Sequence, residues 1–432
     1  MRITIFTIGT EGDVRPLVAL GVALARCGHA VTVATDQSCA DLVTANGLDY
    51  FRLSGDFHTW MRQDKDLQGQ GLATLAMIRK FRARLKLLAA DWPQQGLAAA
   101  KDAELLIGNG MVFLLAAALG ERLGVPVVET QVVPTLPSDN PPLMPLPHWM
   151  YRLPAWVNRR LGQLSRRMVW HVMSPAYQEV VRPTLGLAPY SGRGPLTSVE
   201  AAHLRLFGYS SVLAPPPSDW PATIAVTGPW VLDTTGGFEP SPALLAFLAS
   251  GAKPIYVGFG SMFSADAEAL TAMIRATARA TGRRFVLATG WGGLDGAQIA
   301  AGDPIHVVRH VPHDWLFPRM AGAIHHGGAG TTIAAARAGI PSIVAPVFGD
   351  QPFWASRLHR LGVAPPALAR NNLTVDKLAA AIRRIEAPDM RACAEALAKR
   401  LRQEDGSATA ISRLQAEGLL DEPRLRQSLE SD

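Results

Sequence analysis

Cysteine is scarce in this 432-residue chain: Cys27, Cys39 and Cys393 are all there is. Three unpatterned cysteines exclude a disulfide-stapled scaffold and a cysteine-built metal centre, and they suit a reducing compartment. Charge is also thin, at 18% of residues. No block of Lys and Arg is long enough to form a nucleic-acid arm, and no zinc or helix-turn-helix spacing occurs, so nucleic acid is not an expected partner. No apolar run reaches the ~20 residues that span a bilayer; stretches such as 111–120 fall well short. The N-terminus opens on a strand pattern instead of a secretory signal, so the cytoplasm is the expected location. What the chain does have is apolar bulk, at 48% of residues, with 39 glycines, 32 prolines and 10 tryptophans. A chain of this length and composition can bury large cores and should divide into two or three domains. The net charge of +6 is a mild basic excess that suits an anionic ligand or an anionic membrane surface.

Order along the chain points to two α/β halves. A β-rich run over 2–8 is followed by the turn Gly9-Thr10-Glu11-Gly12-Asp13, helical periodicity over 17–26 and a second strand over 30–34. Strand, turn, helix, strand is the opening of a parallel sheet. Further strands are expected at 50–53, 105–108, 126–130 and 204–209, with helices at 41–47, 112–123 and 156–173. The proline-rich segment 215–221 reads as a linker. From Pro254 a second pattern begins, with strands at 255–259, 285–288, 305–309, 321–324 and 342–346. Helices are expected at 265–280, 331–338, 353–361, 378–401 and 407–416.

Chemistry concentrates in Ile324-His325-His326-Gly327-Gly328-Ala329-Gly330-Thr331-Thr332 and in Asp350-Gln351 one strand–helix unit later. Glycines let backbone N–H groups converge on an anion, and a helix start adds partial positive charge. The pattern fits a diphosphate seat; an ordinary tightly packed strand-to-helix turn is the alternative. The first turn carries Gly9 and Gly12, spaced unlike the G-x-G-x-x-G of dinucleotide folds, and it carries an acid. On residue type alone Asp13 reads as a helix cap ahead of a helix starting near Val14, with a general base at the first crevice as the alternative.

Two segments are both basic and apolar. One covers 78–88, with Arg79, Lys80, Arg82, Arg84 and Lys86. The other covers 156–173, with Arg159, Arg160, Arg166 and Arg167. Each is either a solvated helix face or a contact for an anionic membrane surface or lipid acceptor. Between them lies a loop, 133–147, with six prolines, of the kind that lines binding sites.

Three motifs resemble those of the GT-B nucleotide-sugar glycosyltransferases, in the branch of sterol and lipid glucosyltransferases and antibiotic glycosyltransferases. They are Gly9 through Pro16, Val257-Gly258-Phe259-Gly260-Ser261-Met262, and His313 through Gln351. The resemblance covers nearly the whole chain. It implies two Rossmann-like α/β domains facing one another across a cleft. Residues 1–214 are then an acceptor-binding domain, 215–235 a linker, 236–405 the nucleotide-sugar domain, and 406–432 a helix and tail crossing back to the first domain.

It also implies an inverting transfer without metal or other cofactor, the co-substrate being UDP-glucose or a dTDP sugar and the acceptor a hydrophobic hydroxyl compound. Asp13 matches the base, which reverses the preference for a cap. Ser261, His326, Gly328, Gly330 and Thr331 match the diphosphate contacts, and Asp350 and Gln351 match the pair on the sugar hydroxyls. The base of the nucleotide is expected against Arg309 to Val311, with Trp315 either lining that pocket or in the core. Asn109 and Trp149 are expected at the acceptor side. A hexose, glucose foremost, is the expected cargo; a deoxysugar moved to a polyketide is the alternative. A GT-B epimerase or hydrolase and a non-catalytic nucleotide-sugar-binding module rank below these. Peripheral contact with the inner membrane surface is expected from the two basic segments. Two departures stand out. Ala334 occupies the position where the plant branch of the family holds the ribose with an acid, and Asn109 stands where that branch supports its base with an Asp.

Overall fold

The structure, a computed structural model, describes residues 1–55, 75–143, 150–151, 153–190, 194–196, 203–218, 220–233, 238–259, 267–290, 294, 296–300, 302–347 and 349–421. Trp149 and Ser261 lie outside the described residues.

The first half runs β1 (Arg2–Phe6), α1 (Glu11–Arg26), β2 (Ala30–Thr35), β3 (Asp49–Arg52), α2 (Leu75–Leu88), α3 (Trp92–Ala99), β4 (Leu105–Asn109), α4 (Phe113–Leu123), β5 (Val127–Gln131), α5 (Ala155–Ala176), β6 (Arg205–Phe207) and β7 (Ile224–Val226). Its sheet is wholly parallel in the order β3-β2-β1-β4-β5-β6-β7. Alternate residues of each strand feed cores on opposite faces. Ile3, Ile5, Leu105 and Ile107 join one, and Phe6 and Leu106 the other.

The second half runs α6 (Pro242–Ala249), β8 (Ile255–Gly258), α7 (Ala267–Thr281), β9 (Phe285–Ala288), β10 (Ile305–Val308), β11 (Gly322–His325), α8 (Ala329–Ala338), β12 (Ser342–Val344), α9 (Gln351–Arg360), α10 (Val375–Ile385) and α11 (Pro388–Leu401), with α12 (Gly406–Ala416) behind it. Its parallel sheet has the order β10-β9-β8-β11-β12. In both sheets the order reverses beside the half's first strand, between β1 and β4 and between β8 and β11. Such switch points leave a crevice beyond the strands' C-terminal ends, where ligands of open parallel sheets bind.

Several expectations need correction. The expected linker 215–235 contains β7, which pairs with β6, and Trp230 and Leu232, which are buried in the first core. The prolines punctuate the segment but do not free it. The helix expected over 378–401 is two helices, because Pro388 starts a new one. α1 starts at Glu11, earlier than expected, with Thr10 as its N-cap.

The halves are joined by packing. Phe207 and Tyr209 from the first share a core with Val344, Phe353, Trp354 and Leu358 from the second. α12 packs on α1, placing Ala410, Ile411 and Leu414 in the first half's core.

Candidate active site

Asp13 lies at the first crevice. It is the third residue of α1, not its cap. Its Oδ2 accepts from Thr10 N at 2.8 Å and from Thr10 Oγ1 at 2.9 Å, while Oδ1 has no hydrogen-bond partner among the described residues. The carboxylate steadies the helix start with Oδ2, and this bonding leaves Oδ1 uncommitted among the described residues, so the expectations of a cap and of a base are not exclusive. Gly9 makes this possible. Its φ is +141°, and a Cβ there would lie 2.5 Å from Asp13 Oδ2. Burial raises the Asp13 pKa above the usual carboxylate range, against the two Thr10 bonds that lower it. Asn109, expected at the acceptor side, is only 4% exposed. Its Nδ2 donates to Thr7 Oγ1 at 3.3 Å. It braces the end of β1 from beneath, because β4 is the neighbour of β1 in the sheet.

The second crevice is built by the glycine run after β11. His325 is fully buried, and its Nδ1 accepts from Gly327 N at 3.1 Å, which fixes the turn. Gly327 has φ +94°, and a Cβ there would meet Val344 Cγ1 at 2.7 Å and Gln351 O at 3.1 Å. The turn thus packs directly on the Asp350-Gln351 segment. Gly328 is the N-cap of α8, with the His326 ring lying against it. Around Gly330, in the first turn, a Cβ would find nothing within 4 Å. Gly330 is exposed at this helix start, where the first N–H groups of a helix lack partners within it. His326 is pushed down to about 4 by burial and by the charge of Arg370, and His325 to about 3 by burial and its histidine neighbours. Both are neutral near pH 7 and act as hydrogen-bonding groups without charge.

Asp350 and Gln351 open α9. Trp354 Nε1, one turn further on, donates to Asp350 Oδ2 at 2.7 Å. Asp350 is raised to about 6 by burial and by the negative charge of Asp13 in the other half, with the Trp354 bond acting against them. Gln351 differs from Asp350: it is 5% exposed and its Oε1 accepts from Val347 N at 2.8 Å. Its carbonyl therefore shapes the loop, and Asp350 is the half-exposed member of the pair. Arg309 is exposed and Val311 half-buried on the loop after β10. Trp315 packs edge-on to Phe238 at 5.3 Å, with the Arg319 guanidinium over its face at 4.2 Å. Thr331 is half-buried in the first turn of α8, and Ala334 packs into a core cluster.

α9 also fastens the two halves. Arg357 Nε donates to Leu213 O at 2.6 Å, Arg357 Nη1 to Asn140 Oδ1 at 3.3 Å, and Arg360 to Tyr151 O. Three contributors went unnoticed in the sequence: Trp354, Arg357 and Arg370. The Asp350–Trp354 spacing of four residues on a helix was a readable signal for the first. Nothing in the sequence marks the other two. Among the described residues no group of His, Cys, Asp and Glu gathers as a metal would require, and no helix is long and apolar enough to cross a membrane.

Residues 3–104 match the glycosyltransferase family 28 N-terminal domain, and residues 296–414 match the erythromycin biosynthesis protein CIII-like C-terminal domain. A sterol 3-beta-glucosyltransferase of Arabidopsis thaliana is 31% identical over 424 residues, covering 95% of this chain and 64% of that protein. The chain thus spans somewhat under two thirds of that relative's length. The O-mycaminosyltylonolide 6-deoxyallosyltransferase of Streptomyces fradiae is 34% identical over 400 residues, covering 89% of each chain. Among solved structures, the calicheamicin glycosyltransferase CalG4 superposes with a TM-score of 0.72 at 19% identity, over 96% of this chain and 98% of that one. That likeness concerns the GT-B fold.

Proposed function

Because the chain belongs to the glycosyltransferase family that includes sterol glucosyltransferases and macrolide glycosyltransferases, we propose that it moves a hexose, glucose foremost, from a nucleoside diphosphate sugar to a hydroxyl of a hydrophobic acceptor. The observation that supports this reading is that Asp13 and Asp350, from the two halves, lie near enough for the charge of Asp13 to raise the Asp350 pKa, with Gly330 exposed at the start of α8. In the transfer the acceptor oxygen bonds to the anomeric carbon as the bond from that carbon to the phosphate oxygen breaks. The electron pair leaves with the diphosphate, and the acceptor proton passes to Asp13. Attack from the face opposite the leaving group inverts the anomeric centre. Asp350 accepts hydrogen bonds from sugar hydroxyls, and the N–H groups at the start of α8, with His326, receive the growing charge on the diphosphate.

A lipid-like acceptor is supported by a surface on the first half. α2 and α5 pack together, and exposed Leu87, Trp156, Leu164, Met168 and Val169 lie on them, with exposed Arg84, Arg160 and Arg167 nearby. On α5, Trp156, Arg160, Leu164 and Met168 recur every four residues along one stripe. Apolar side chains rimmed by arginines suit an anionic bilayer, the source of such acceptors. Vesicles containing phosphatidylglycerol should sediment the protein and neutral vesicles should not. A W156S/L164S/M168S variant that sediments equally well removes this part of the reading.

The transfer itself is tested by incubating the protein with UDP-glucose or dTDP sugars in EDTA, with and without sterols, and measuring diphosphate release. Acceptor-dependent release supports the proposal. Release of free sugar or an epimer without acceptor overturns it. Activity confined to dTDP deoxysugars and polyketide acceptors would select the alternative matched by the Streptomyces relative.

A further inference from the structure

α9 carries Asp350 at one end and grips the first half near the other. Asp350 is its N-cap, and Trp354 Nε1 donates to Asp350 Oδ2 at 2.7 Å. Further along, the half-buried Arg357 donates from Nε to Leu213 O at 2.6 Å and from Nη1 to Asn140 Oδ1 at 3.3 Å. Asp350, Trp354 and Arg357 follow the spacing i, i+4, i+7, so the three share one face of the helix. Seven residues of helix put Arg357 roughly 10 Å from Asp350 along the axis. Trp354 is fully buried, and its ring packs 6.5 Å from that of Tyr209 in the first half. The face that holds Asp350 is thus the face that meets the first half.

What Arg357 grips is itself held. Asn140 belongs to the proline-rich loop expected to line a binding site, and it donates from N to Ser138 Oγ and from Nδ2 to Pro215 O, both at 3.2 Å. From α5, Asn158 donates to Asp139 O at 2.8 Å and Arg159 to Asp139 Oδ1 at 2.7 Å. Trp220 Nε1 donates to Pro137 O at 3.2 Å. Gly162 lets α5 lie against the same loop, since a Cβ there would come 2.9 Å from Pro137 Cα. Prolines restrict the conformations of a loop pinned in this way, so it gives α9 a fixed support.

We propose that Arg357 is a positioning residue for the transfer: through α9 it sets Asp350, and the sugar that Asp350 holds, in register with Asp13 and the acceptor on the first half. The core shared by Phe207, Tyr209 and Trp354 holds the halves together, but apolar contact is non-directional. The two bonds of Arg357 have preferred directions, and they fix how α9 slides and rotates against the first half. Arg360 adds a bond to Tyr151 O, but it is exposed and three residues further from Asp350. Arg357 acts through Asp350 and not on the substrate. The inference rests on the glycosyltransferase reading and deepens it.

The test is a double-mutant cycle on diphosphate release, with wild type, Arg357→Gln, Asp350→Asn and the variant carrying both. The substrates are UDP-glucose and a sterol, or a dTDP sugar and a polyketide if wild type turns over that pair. Arg357→Gln should lower kcat/KM about tenfold to a hundredfold, the scale of a misplacement near 1 Å. Calorimetric affinity for UDP or dTDP alone should change less than about twofold, because the proposed diphosphate seat lies on α8, within the second half. Arg357→Lys, which can keep one of the two bonds, should recover part of the loss. Asn at 350 keeps an accepting oxygen and should leave measurable transfer. In that background Arg357→Gln should cost less than about twofold more, because the two residues act as one unit. A full further loss there makes Arg357 a structural residue and overturns the inference. A kcat/KM within about twofold of wild type in Arg357→Gln overturns it as well. Both results leave the transferase reading intact, whereas no acceptor-dependent release from wild type removes that reading and the inference with it. If Arg357→Gln melts below the assay temperature, the same cycle is run with Arg357→Lys.

Discussion

Asp13 holds the start of α1 and, in the proposed transfer, takes the acceptor proton; substitution can separate the two. Asn at this position keeps an oxygen that can accept from Thr10 N and Thr10 Oγ1, but it cannot take a proton from an acceptor hydroxyl. Ala removes both functions. Asp13→Asn should therefore lower kcat by roughly a hundredfold to ten-thousandfold, the usual contribution of a general base. Its stability should run the other way. Because burial raises the Asp13 pKa, the folded protein holds this proton more tightly than the unfolded chain does. Stability from this group is then fully present at acid pH, below the unfolded carboxylate range. It falls as pH rises through the folded pKa. Asn has no charge to bury, so Asp13→Asn should be at least as stable as wild type at pH 7.5. Its advantage should shrink as the pH is lowered. Asp13→Ala loses the two bonds at the start of α1 and should be less stable than Asp13→Asn by about 1 kcal/mol. That corresponds to roughly 2–4 °C in Tm for a domain of this size. The assay pairs diphosphate release under saturating substrates with melting curves at pH 5.0 and 7.5. A kcat within about tenfold of wild type in Asp13→Asn refutes the base. Equal melting of the Asn and Ala variants refutes the contribution of the Thr10 bonds.

Removing the indole N–H with Trp354→Phe keeps an aromatic ring in the core but deletes the bond that lowers the Asp350 pKa. That pKa should rise above about 6, so the acid limb of the kcat/KM profile should move to higher pH, with the variant approaching wild type near pH 8; an unmoved limb rules out Trp354 as a positioning residue for Asp350. Deep in the first half, Arg205 and Glu129 form a 2.7 Å ion pair at 2% and 1% exposure. Burial would raise Glu129, but the His203 hydrogen bond and the charges of Arg205 and Arg166 hold it at about 2. Arg205→Met strands that carboxylate and should cost about 3–5 kcal/mol in urea unfolding, while adding Glu129→Leu should recover much of the loss. A loss below about 1 kcal/mol would mean that solvent reaches Glu129.

The sheets were readable because buried parallel strands write themselves as short apolar runs between glycines and prolines, and the runs at 2–8, 105–108, 255–259 and 321–324 all became strands. β7 was not readable. Three residues of strand behind a cluster of prolines carry too little pattern, and what makes them strand is the waiting edge of β6. The start of α1 was misjudged for a related reason. Thr10 and Asp13 are a cap pair in sequence, but the helix keeps going through Pro16, which sequence reading preferred to put in the first turn. In the site, residue types announced Asp13, His326 and Asp350. Which face each residue presents did not follow from type. Gln351 and Asn109 look as available as Asp350 in the sequence, yet one holds Val347 and the other Thr7 from beneath the surface. The nearness of Arg370 to Phe259 and His326 was invisible because the three are remote in sequence and meet only through the parallel packing of β8 and β11.

Charge movement ties these parts together. Asp13 and Asp350 both lie in the first turn or at the edge of a helix, where the partial positive charge of the N-terminus favours a carboxylate, yet both pKa values are raised because burial outweighs it. With His325 and His326 uncharged, they add no positive charge to offset the repulsion between the two acids and an incoming diphosphate. During the proposed transfer Asp13 gains a proton and loses its charge as the diphosphate gains one. One negative charge thus passes from the start of α1 to the start of α8. Both ends are helix N-termini and so nearly equivalent in field. The His326 ring lies against the N-cap of α8, at the second end only, and a hydrogen-bonding group there is the asymmetry that would favour the charge after transfer over the charge before it.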